Sequence, residues 1–356
     1  MTIGIRLKMR KNGMLNNKKI LLVGQFSKNP DVYCYADSFL KSLKRLGHSV
    51  DIFSYYPSFK VNILSRSYAF FWRFSVNIQL IISCLWYRPD TLFVLKGEPL
   101  FAKNVAWLKK IFGVKVIWFY PDSPFIFWNG NSNSQMLKVL PFVDLYLCWS
   151  KRLVDLLFHA GAPSVEYFPF GFDPDIFLKK VVTDQEELQN IDALFIGTWS
   201  KERESWLTML VEKKPEIELI IIGTGWKERR HERYLLTSYI FGDALPVDQM
   251  VEYFSKAKIV LNFLRPQNFD SHNMRSLEVP ATGNFLLAER SYEHSVSLFE
   301  EDKEIVCFST VDELIEKIEY YISHDEKRLK IARNAHARAK NYSLDILLQQ
   351  KFKEKE

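Results

Sequence analysis

The chain has 356 residues, of which 47% are hydrophobic and 25% charged, and these proportions are typical of globular proteins. This length exceeds what one hydrophobic core normally serves, so we expect two domains. The net charge of +6 suits an anionic ligand or a membrane surface but is too small to indicate a nucleic-acid-binding protein. The four cysteines are scattered and form no CxxC pair, so neither a zinc site nor a disulfide framework is indicated, and a reducing cytoplasm fits.

The N-terminal segment is rich in basic residues. The first nineteen residues contain six Lys or Arg and no long apolar stretch, so they do not form a secretory signal. We expect residues 1–17 to be a disordered basic leader, with Met14 as an alternative start of the chain. Basic segments of this kind also bind anionic lipid, at about 1 kcal/mol per cation close to the surface.

Apolar runs alternate with helical patterns through the first half of the chain. The predicted strands are 19–23, 49–53, 91–95, 115–120 and 144–149, and the first two flank a predicted helix at 35–46. Strands alternating with helices predict a parallel, doubly wound sheet, which we assign to an N-terminal domain at 18–170. The stretch VGQFSKNP after the first strand lacks the GxGxxG pattern, so the common dinucleotide-binding form of this fold is not expected.

Candidate ligand-binding residues follow several of these strands. Ligands of doubly wound sheets bind beyond the carboxyl ends of the strands, which selects Gly24 after the first strand, with Glu98 and Asp122 after later ones. We interpret Glu98 and Asp122 as substrate-binding groups or general bases. The alternative is that Asp122 caps a turn beside Pro121 and Pro124, and that Glu98 is simply solvated.

Residues 67–87 are apolar over a length that approaches a membrane span. Arg73, Asn77 and Gln79 interrupt the run, and an Arg at a helix centre costs about 2.5–3.5 kcal/mol on membrane insertion. We therefore favour a helix packed inside the domain, then a surface that dips into a membrane, and a true span last.

A change of composition marks the boundary between two domains. Gly171 and nearby prolines precede a polar stretch, so we expect a linker at 171–190. A second doubly wound domain is expected at 191–340, with strands at 192–196 and 217–222 and an edge strand at 239–242. We expect the last segment, 341–356, to form a helix that packs back on the first domain.

Two strands of the second domain end in small-residue loops, GTWS at 197–200 and GTG at 223–225, where backbone can approach a ligand closely. The basic residues just after the first loop would neutralise a diphosphate, and an ordinary basic first helical turn is the alternative. The candidates for nucleotide binding in these loops are Gly197, Thr198, Lys201, Arg203, Gly223 and Thr224.

Residues 259–289 carry a dense set of polar residues. The pattern predicts a buried strand at 259–264, a polar loop at 265–272, a short helix at 273–281 and another strand after Gly283. A loop that opens a helix presents unpaired backbone N–H groups and the positive helix end, which favours phosphate. A surface ion pair between Arg275 and Glu278, with Asp270 as a helix cap, is the alternative. The candidate site residues here are Arg265, Asp270, His272, Asn273, Arg275 and Glu278.

Three stretches of the chain resemble a known family. They are the crossover WSKRLVDLLFHAGAPSVEYFPFGFDPDIF, the second-domain opening FIGTWSKERE and the run LNFLRPQNFDSHNMRSLEVPATGNFLLAE. Together they resemble GT-B glycosyltransferases, and the nearest match is the group-1 branch that includes spore-maturation CgeB-like proteins. The resemblance implies two Rossmann-like domains that face a central cleft, with the acceptor on the side of the first and the nucleotide sugar bound by the second.

The resemblance also implies roles for particular residues. In retaining relatives, two glutamates separated by seven residues contact the donor, the first near the sugar and the second at the ribose. Asp270 stands at the first position, one methylene shorter than Glu, and Glu278 stands at the second. The basic residues after the 197–200 loop, helped by Arg275 or Arg265, would neutralise the diphosphate.

The implied activity is transfer of a sugar from a nucleoside-diphosphate donor to an acceptor hydroxyl, with retention of configuration and without a metal or other cofactor. We expect a cytoplasmic enzyme of bacterial glycan or glycolipid biosynthesis, peripherally associated with the inner face of the membrane and without a nucleic-acid partner. The expected catalytic residues are Asp270, Asp122 and Arg275.

Two alternatives belong to other functional classes. A GT-B-fold sugar-nucleotide epimerase would use similar nucleotide contacts but would convert the donor without any acceptor. A catalytically inactive GT-B scaffold would bind a nucleotide and turn over nothing.

Overall fold

The computed structural model describes residues 17–27, 33–56, 65–125, 134–179, 190–229, 234–268 and 270–352. The predicted basic leader, apart from its last residue, and residues 180–189 of the predicted linker lie outside the described residues. Two parallel six-stranded sheets with flanking helices make up the fold, which confirms the predicted pair of doubly wound domains.

The first sheet is built from apolar runs that are buried on both faces. Its strands are β1 (Lys19–Gly24), β2 (Ser49–Ser54), β3 (Thr91–Leu95), β4 (Lys115–Phe119), β5 (Leu145–Cys148) and β6 (Val165–Tyr167). The spatial order is β2-β1-β3-β4-β5-β6, and the pairings are parallel. All five residues of β3 are buried because helices cover both faces, so the strand is continuously apolar instead of alternating.

Five helices pack on this sheet. They are α1 (Tyr35–Arg45), α2 (Ser65–Tyr87), α3 (Ala102–Phe112), α4 (Ser134–Val139) and α5 (Lys151–His159). The helix α1 ends at Gly47, whose φ of 85° lies in the left-handed region that glycine enters without strain.

The expectation that residues 67–87 form a helix packed inside the domain is only half right. One side of α2 is buried, through Val76, Leu80 and Cys84, but the opposite side carries large apolar side chains in solvent. Trp86 is 86% exposed and Phe71 is 67% exposed. Among the helices that the structure describes, none is both long and apolar enough to cross a membrane.

The second sheet repeats the plan of the first. Its strands are β7 (Ile191–Ile196), β8 (Leu219–Ile222), β9 (Ile240–Gly242), β10 (Ala257–Asn262), β11 (Leu286–Glu289) and β12 (Val306–Phe308). The helices in and around it are α6 (Pro174–Phe177), α7 (Lys201–Lys213), α8 (Val247–Lys256), α9 (Arg275–Ala281), α10 (Val311–Ser323) and α11 (Asp325–Ala339). A π-helix at Glu293–Leu298, which the sequence analysis did not predict, follows β11.

The order of strands in each sheet defines where a ligand can bind. The second sheet runs β12-β11-β10-β7-β8-β9, so the chain reverses its direction of progress between β7 and β10. In the first sheet the corresponding reversal lies between β1 and β3. Loops at such a reversal diverge to opposite faces of the sheet and leave a crevice at the carboxyl ends of the strands.

The chain crosses from the first domain to the second near Phe172 and returns near Ser343, and Arg45 bonds to both of these passages. A β-bridge pairs Phe172, on the outward passage, with Ser343, on the return. The last helix, α12 (Leu344–Phe352), then packs against α1. The Arg45 guanidinium donates to Asp345 at 2.7 and 2.9 Å and to Asp173 at 3.0 Å.

We predict that Arg45→Ala lowers the free energy of unfolding by about 2–3 kcal/mol, because it removes charge-assisted hydrogen bonds from both passages and leaves Asp173 buried. Lys213→Ala is the matched control, since it breaks an exposed pair with Asp312 and should cost less than about 1 kcal/mol. Urea unfolding of both variants measures the difference. Equal losses would show that Arg45 does not join the passages.

Candidate functional site

Two glycine loops lock together at the carboxyl ends of β7 and β8. A Cβ on Gly223 would lie 2.1 Å from the carbonyl oxygen of Gly197, and Gly223 has a φ of 148°. The Trp226 indole N–H donates to that same oxygen at 2.8 Å, and the Trp199 N–H donates to the carbonyl of Thr224 at 2.9 Å. Glycine is therefore required at 223, because any side chain would push the two loops apart.

Arg203 lies at the reversal point between β7 and β10. Ser200 caps α7, which places Arg203 in the first helical turn. Its guanidinium donates to the carbonyl of Thr198 at 2.8 Å and to the carbonyl of Phe263 at 3.4 Å from two nitrogens. Burial, followed by the positive charges of Arg265 and Arg275, lowers the pKa of Arg203 to about 10. Three guanidinium groups therefore converge on one crevice.

Arg275 and Arg265 reach this crevice from the segment that follows β10. The Arg275 guanidinium donates to the carbonyl of Ile196 at 3.3 Å and pairs with Glu278. Arg265 is half-buried, and burial lowers its pKa while the nearby carboxylates of Glu202 and Asp122 raise it. Like charges held this close repel one another, so the arrangement favours an anion that can bridge them.

Glu278 has a buried carboxylate with one unpaired oxygen. The side chain is fully buried in α9, and one of its oxygens accepts from Arg275. The Oε1 atom has no hydrogen-bond partner among the described residues, and the same holds for the hydroxyl of Tyr33. Burial raises the pKa of Glu278, and the Arg275 charge opposes that shift. Burial raises the pKa of the Tyr33 hydroxyl, and the negative charge of Glu278 raises it further. Tyr33, a residue of the first domain, therefore lies close to Glu278.

The start of α9 offers fewer open amides than the sequence suggested. The helix spans Arg275–Ala281, two residues shorter at its start than the predicted helix. The N–H groups of Ser276, Leu277 and Glu278 already donate to the carbonyls of Asn273 or Met274. The N–H of Asn273 donates to the Ser276 hydroxyl at 3.2 Å, and its side-chain amide donates to Asn262 at 2.7 Å. The positive charge here comes mainly from guanidinium groups.

Two carboxylates of the first domain face this crevice. Burial raises the pKa of Asp122, whereas the charges of Lys96 and Arg265 lower it, so Asp122 lies opposite the second domain. Burial also raises the pKa of Glu98, whose Oε1 lacks a hydrogen-bond partner within the described part of the chain. The buried hydroxyls of Tyr120 and Tyr146 also have no hydrogen-bond partner among the described residues. Buried polar groups without partners are rare, and their concentration here indicates a place where a polar ligand binds.

His272 joins the domains instead of facing the crevice. Its side chain is fully buried, its Nε2 accepts from the Phe170 N–H at 3.2 Å, and its Nδ1 lies 3.1 Å from Glu293. Glu293 also accepts from the Lys151 N–H and from the Tyr167 hydroxyl, each at 2.7 Å. Burial alone would raise the pKa of Glu293, but the hydrogen bonds from His272, Tyr167 and Lys151 produce a net lowering. Because protein groups occupy both ring nitrogens, the expectation that His272 binds the nucleotide sugar is corrected to a domain-joining role.

Asp270 lies at the edge of the same interface. Its φ of 56° is left-handed, and its carboxylate accepts from Arg152 of α5 at 2.9 Å and from the Tyr292 N–H at 3.3 Å. The side chain remains 44% exposed, so it is accessible from solvent while it bridges the domains. In the described part of the chain, no group of three or more His, Cys, Asp or Glu side chains could hold a metal ion.

Comparisons with known proteins agree with this geometry. Residues 202–345 match the family model described as glycosyl transferase-like. Spore protein CgeB of Bacillus subtilis (strain 168) is 24% identical over 262 residues, which cover 69% of this chain and 76% of CgeB. A sucrose-phosphate synthase from Thermosynechococcus elongatus superposes with a TM-score of 0.69 at 14% identity, over 94% of this chain and 98% of that one. HepE of Anabaena, solved with UDP-glucose, superposes with a TM-score of 0.62 at 16% identity, with the same coverage of both chains.

The chain has the GT-B fold, and its residues 202–345 match a glycosyl transferase-like family.

The fold brings most of the candidate residues of the second domain together. Arg203, Arg265, Arg275 and Glu278 converge beside the two glycine loops. Lys201 is exposed at the start of α7, and Asn273 is half-buried and bonded within its own segment. Gly24 ends β1 in the first domain, where a Cβ would make ordinary contact with Leu95 at 3.4 Å.

Sequence reasoning missed the residues that act between the two domains. Tyr33, Arg152 and Glu293 are distant in sequence from the residues they contact, and no spacing rule connects them. The available signal for Tyr33 was its position just beyond the carboxyl end of β1. Glu293 gave no signal, because a lone acid after a strand is usually solvated.

We predict that Gly223→Ala lowers the free energy of unfolding by about 2–4 kcal/mol, because its Cβ would collide with the Gly197 carbonyl at a backbone angle that alanine avoids. Gly242→Ala is the matched control, since a Cβ there meets nothing within 4 Å, and it should change stability by less than about 1 kcal/mol. Denaturant unfolding of the two variants measures both effects. Similar values would contradict the close packing of the glycine loops.

Proposed function

We propose that this glycosyltransferase transfers the sugar of a UDP-sugar to an acceptor hydroxyl, with the nucleotide bound at the crevice between β7 and β10. The convergence of Arg203, Arg265 and Arg275 beside the buried Glu278 is the observation that carries the proposal. Uridine is favoured because HepE, which shares the fold, was solved with UDP-glucose. The family model and the similarity to CgeB support the reaction class.

The diphosphate binds to the three arginines. Cleavage of the bond between the sugar and the diphosphate leaves additional negative charge on the departing oxygen, so the main catalytic task is to stabilise that charge. Guanidinium groups match phosphate in geometry and donate two hydrogen bonds each. These three positive charges support the proposal that the transfer proceeds without a metal ion.

The ribose binds to Glu278. A diol offers two O–H donors, and the unpaired Oε1 of this carboxylate is a buried acceptor whose desolvation has not been offset. The Tyr33 hydroxyl, also unpaired among the described residues, would accept or donate one further hydrogen bond. Arg275 keeps the carboxylate ionised and holds its rotamer through the pairing at its other oxygen.

The sugar and the acceptor bind between the domains. Asp270, at the position of the first carboxylate in the motif of retaining relatives, orients the sugar while Arg152 holds its side chain. Asp122 accepts a hydrogen bond from a second hydroxyl of the acceptor, next to the reacting one, and Glu98 lies beside Asp122. The acceptor oxygen bonds to the anomeric carbon, the bond to the diphosphate oxygen breaks, and the hydroxyl proton passes to the departing oxygen on the same face. This course retains the anomeric configuration.

The biological setting that we propose is bacterial glycan or glycolipid synthesis in the cytoplasm, at the inner face of the membrane. Similarity to a spore protein supports a glycan of the cell envelope. The four cysteines are free thiols, which fits a reducing compartment.

We predict that Arg265→Ala and Arg275→Ala each weaken UDP binding by roughly 10- to 150-fold, because a charge-assisted hydrogen bond contributes about 1.5–3 kcal/mol. Isothermal titration with UDP measures the dissociation constant. Arg333→Ala, in an exposed position on α11, is the matched control and should bind as the wild type does. Unchanged affinity in the Arg265→Ala variant, which leaves the Arg275–Glu278 pair intact, would overturn the assignment.

Incubation with UDP-glucose and other UDP-sugars tests the reaction class. We expect UDP release that rises when a hydroxyl acceptor is added, since water competes poorly in a cleft that excludes it. Product from donor alone in which the sugar has changed its configuration would identify an epimerase instead. Nucleotide binding without turnover on any donor and acceptor would identify an inactive scaffold.

The pH profile of transfer should report the ionisation of Asp122. Because burial raises the pKa of Asp122 and Lys96 opposes that shift, removing the lysine charge should raise the pKa further. We predict that Lys96→Met moves the acid limb of kcat/KM to higher pH, since the ionised carboxylate of Asp122 accepts a stronger hydrogen bond from the acceptor than the protonated acid does. Lys41→Met, an exposed lysine of α1, should leave the profile unchanged. If the acid limb of kcat/KM in Lys96→Met stays at the wild-type pH, the assignment of Asp122 to the acceptor site is wrong.

A further inference from the structure

A continuous apolar stripe faces solvent along α2. Phe70, Phe74, Ile78, Ile82 and Leu85 follow one another at intervals of three or four residues and are between 43% and 60% exposed. This interval places them on one side of a helix. Single exposed apolar side chains are common, but a contiguous row of this size marks an interaction surface.

The neighbouring helix α3 widens the stripe into a surface. Trp107 and Ile111, one helical turn apart, are 43% and 55% exposed, and α3 packs beside α2. A groove of about 670 Å³ lies between the two helices, with Phe74, Ile78 and Phe101 in its wall. We call this surface the α2–α3 face. Its exposed apolar members are Phe70, Phe71, Phe74, Ile78, Ile82, Leu85, Trp86, Trp107 and Ile111.

The charged residues of α2, α3 and α4 are all basic. The sequences of α2, α3 and α4 contain no Asp or Glu. Lys103, Lys110 and Lys138 are exposed on α3 and α4, and two of them, Lys103 and Lys138, line the groove. A surface that is apolar in its middle and cationic at its border is complementary to anionic lipid headgroups over acyl chains.

We propose that the α2–α3 face docks on the surface of an anionic lipid bilayer. Exposed lysines disfavour a second protein as the occupant, because protein interfaces are depleted in Lys. Trp and Phe beside lysines are typical of residues that sit at headgroup level. The described helices cannot span a bilayer, so α2 lies in the plane of the interface with its apolar side in the lipid.

Docking in this way brings the acceptor side of the cleft to the membrane. Arg73 of α2 donates to the carbonyl of Glu98 at 3.3 Å, and Asn77 donates to the carbonyl of Pro99 at 2.9 Å and accepts from the Phe101 N–H at 2.9 Å. The turn that carries Glu98 is therefore fixed to the docking helix. This step rests on the proposed function, and it makes the acceptor a hydroxyl of a membrane-anchored, lipid-linked glycan.

Sedimentation with vesicles tests the docking. The full-length protein should bind vesicles of phosphatidylglycerol and phosphatidylcholine, and should bind pure phosphatidylcholine at least about tenfold less, because the lysines need anionic headgroups.

Phe71→Ser combined with Trp86→Ser should reduce binding about tenfold. The matched control, Phe158→Ser combined with Phe241→Ser, changes two rings elsewhere that are each 58% exposed and should bind as the wild type does. Lys103→Glu with Lys110→Glu should abolish the preference for anionic lipid, whereas Lys327→Glu with Lys330→Glu should preserve it.

The outcomes separate docking from donor binding. No vesicle binding by the wild type, or equal loss in both aromatic pairs, would overturn the proposal. A dimer in solution that dissociates in the Phe71→Ser, Trp86→Ser variant, without vesicle binding, would assign the face to self-association instead. UDP titration of the same variants should be unchanged, since the α2–α3 face lies outside the nucleotide crevice. Vesicle binding without UDP binding would leave docking intact and contradict the proposed function.

Discussion

The convergence of three guanidinium groups at the reversal point of the second sheet is the constraint on which the rest of the site depends. Arg203 is buried there and bonded to backbone carbonyls of the β7 and β10 loops. Its neighbours Arg265 and Arg275 carry the same charge and help to lower its pKa. The carboxylates of Glu202, Glu278 and Glu289 lie close to these arginines and balance part of their charge, and we propose that a bound diphosphate balances the rest.

Other features of the fold position and close this crevice. The glycine loops pack so tightly that their carbonyls are fixed in place to hold Arg203, and α9 presents Arg275 and Glu278 together. The contacts of His272 and Glu293 bind the second domain to α5 of the first domain, which brings Asp122 opposite the arginines. Arg45 joins the two passages of the chain between the sheets. If the α2–α3 face docks on a membrane, the first domain becomes the fixed body against which the second one moves.

The sequence allowed the fold and part of the site to be predicted, for physical reasons that can be stated. Continuous apolar runs identified the buried strands, and the rule that ligands bind beyond carboxyl ends selected Asp122. Arg203 was selected as a basic residue after the loop at 197–200, and Glu278 by its place in the family motif. Local pattern could not show that His272 is enclosed between domains, because its partners Phe170 and Glu293 come from separate segments. It also could not show that α2 is buried on one side alone, since apolar residues occur all round that helix and only tertiary packing decides which of them meet the core.

The central claim is that the nucleotide diphosphate binds to the three arginines while the ribose binds to Glu278. A crystal structure of the UDP complex tests it most directly. We expect diphosphate oxygens within about 3 Å of guanidinium nitrogens of Arg203, Arg265 or Arg275, with a ribose hydroxyl on the carboxylate of Glu278. UDP bound elsewhere, or a diphosphate that contacts none of the three arginines, would contradict the account.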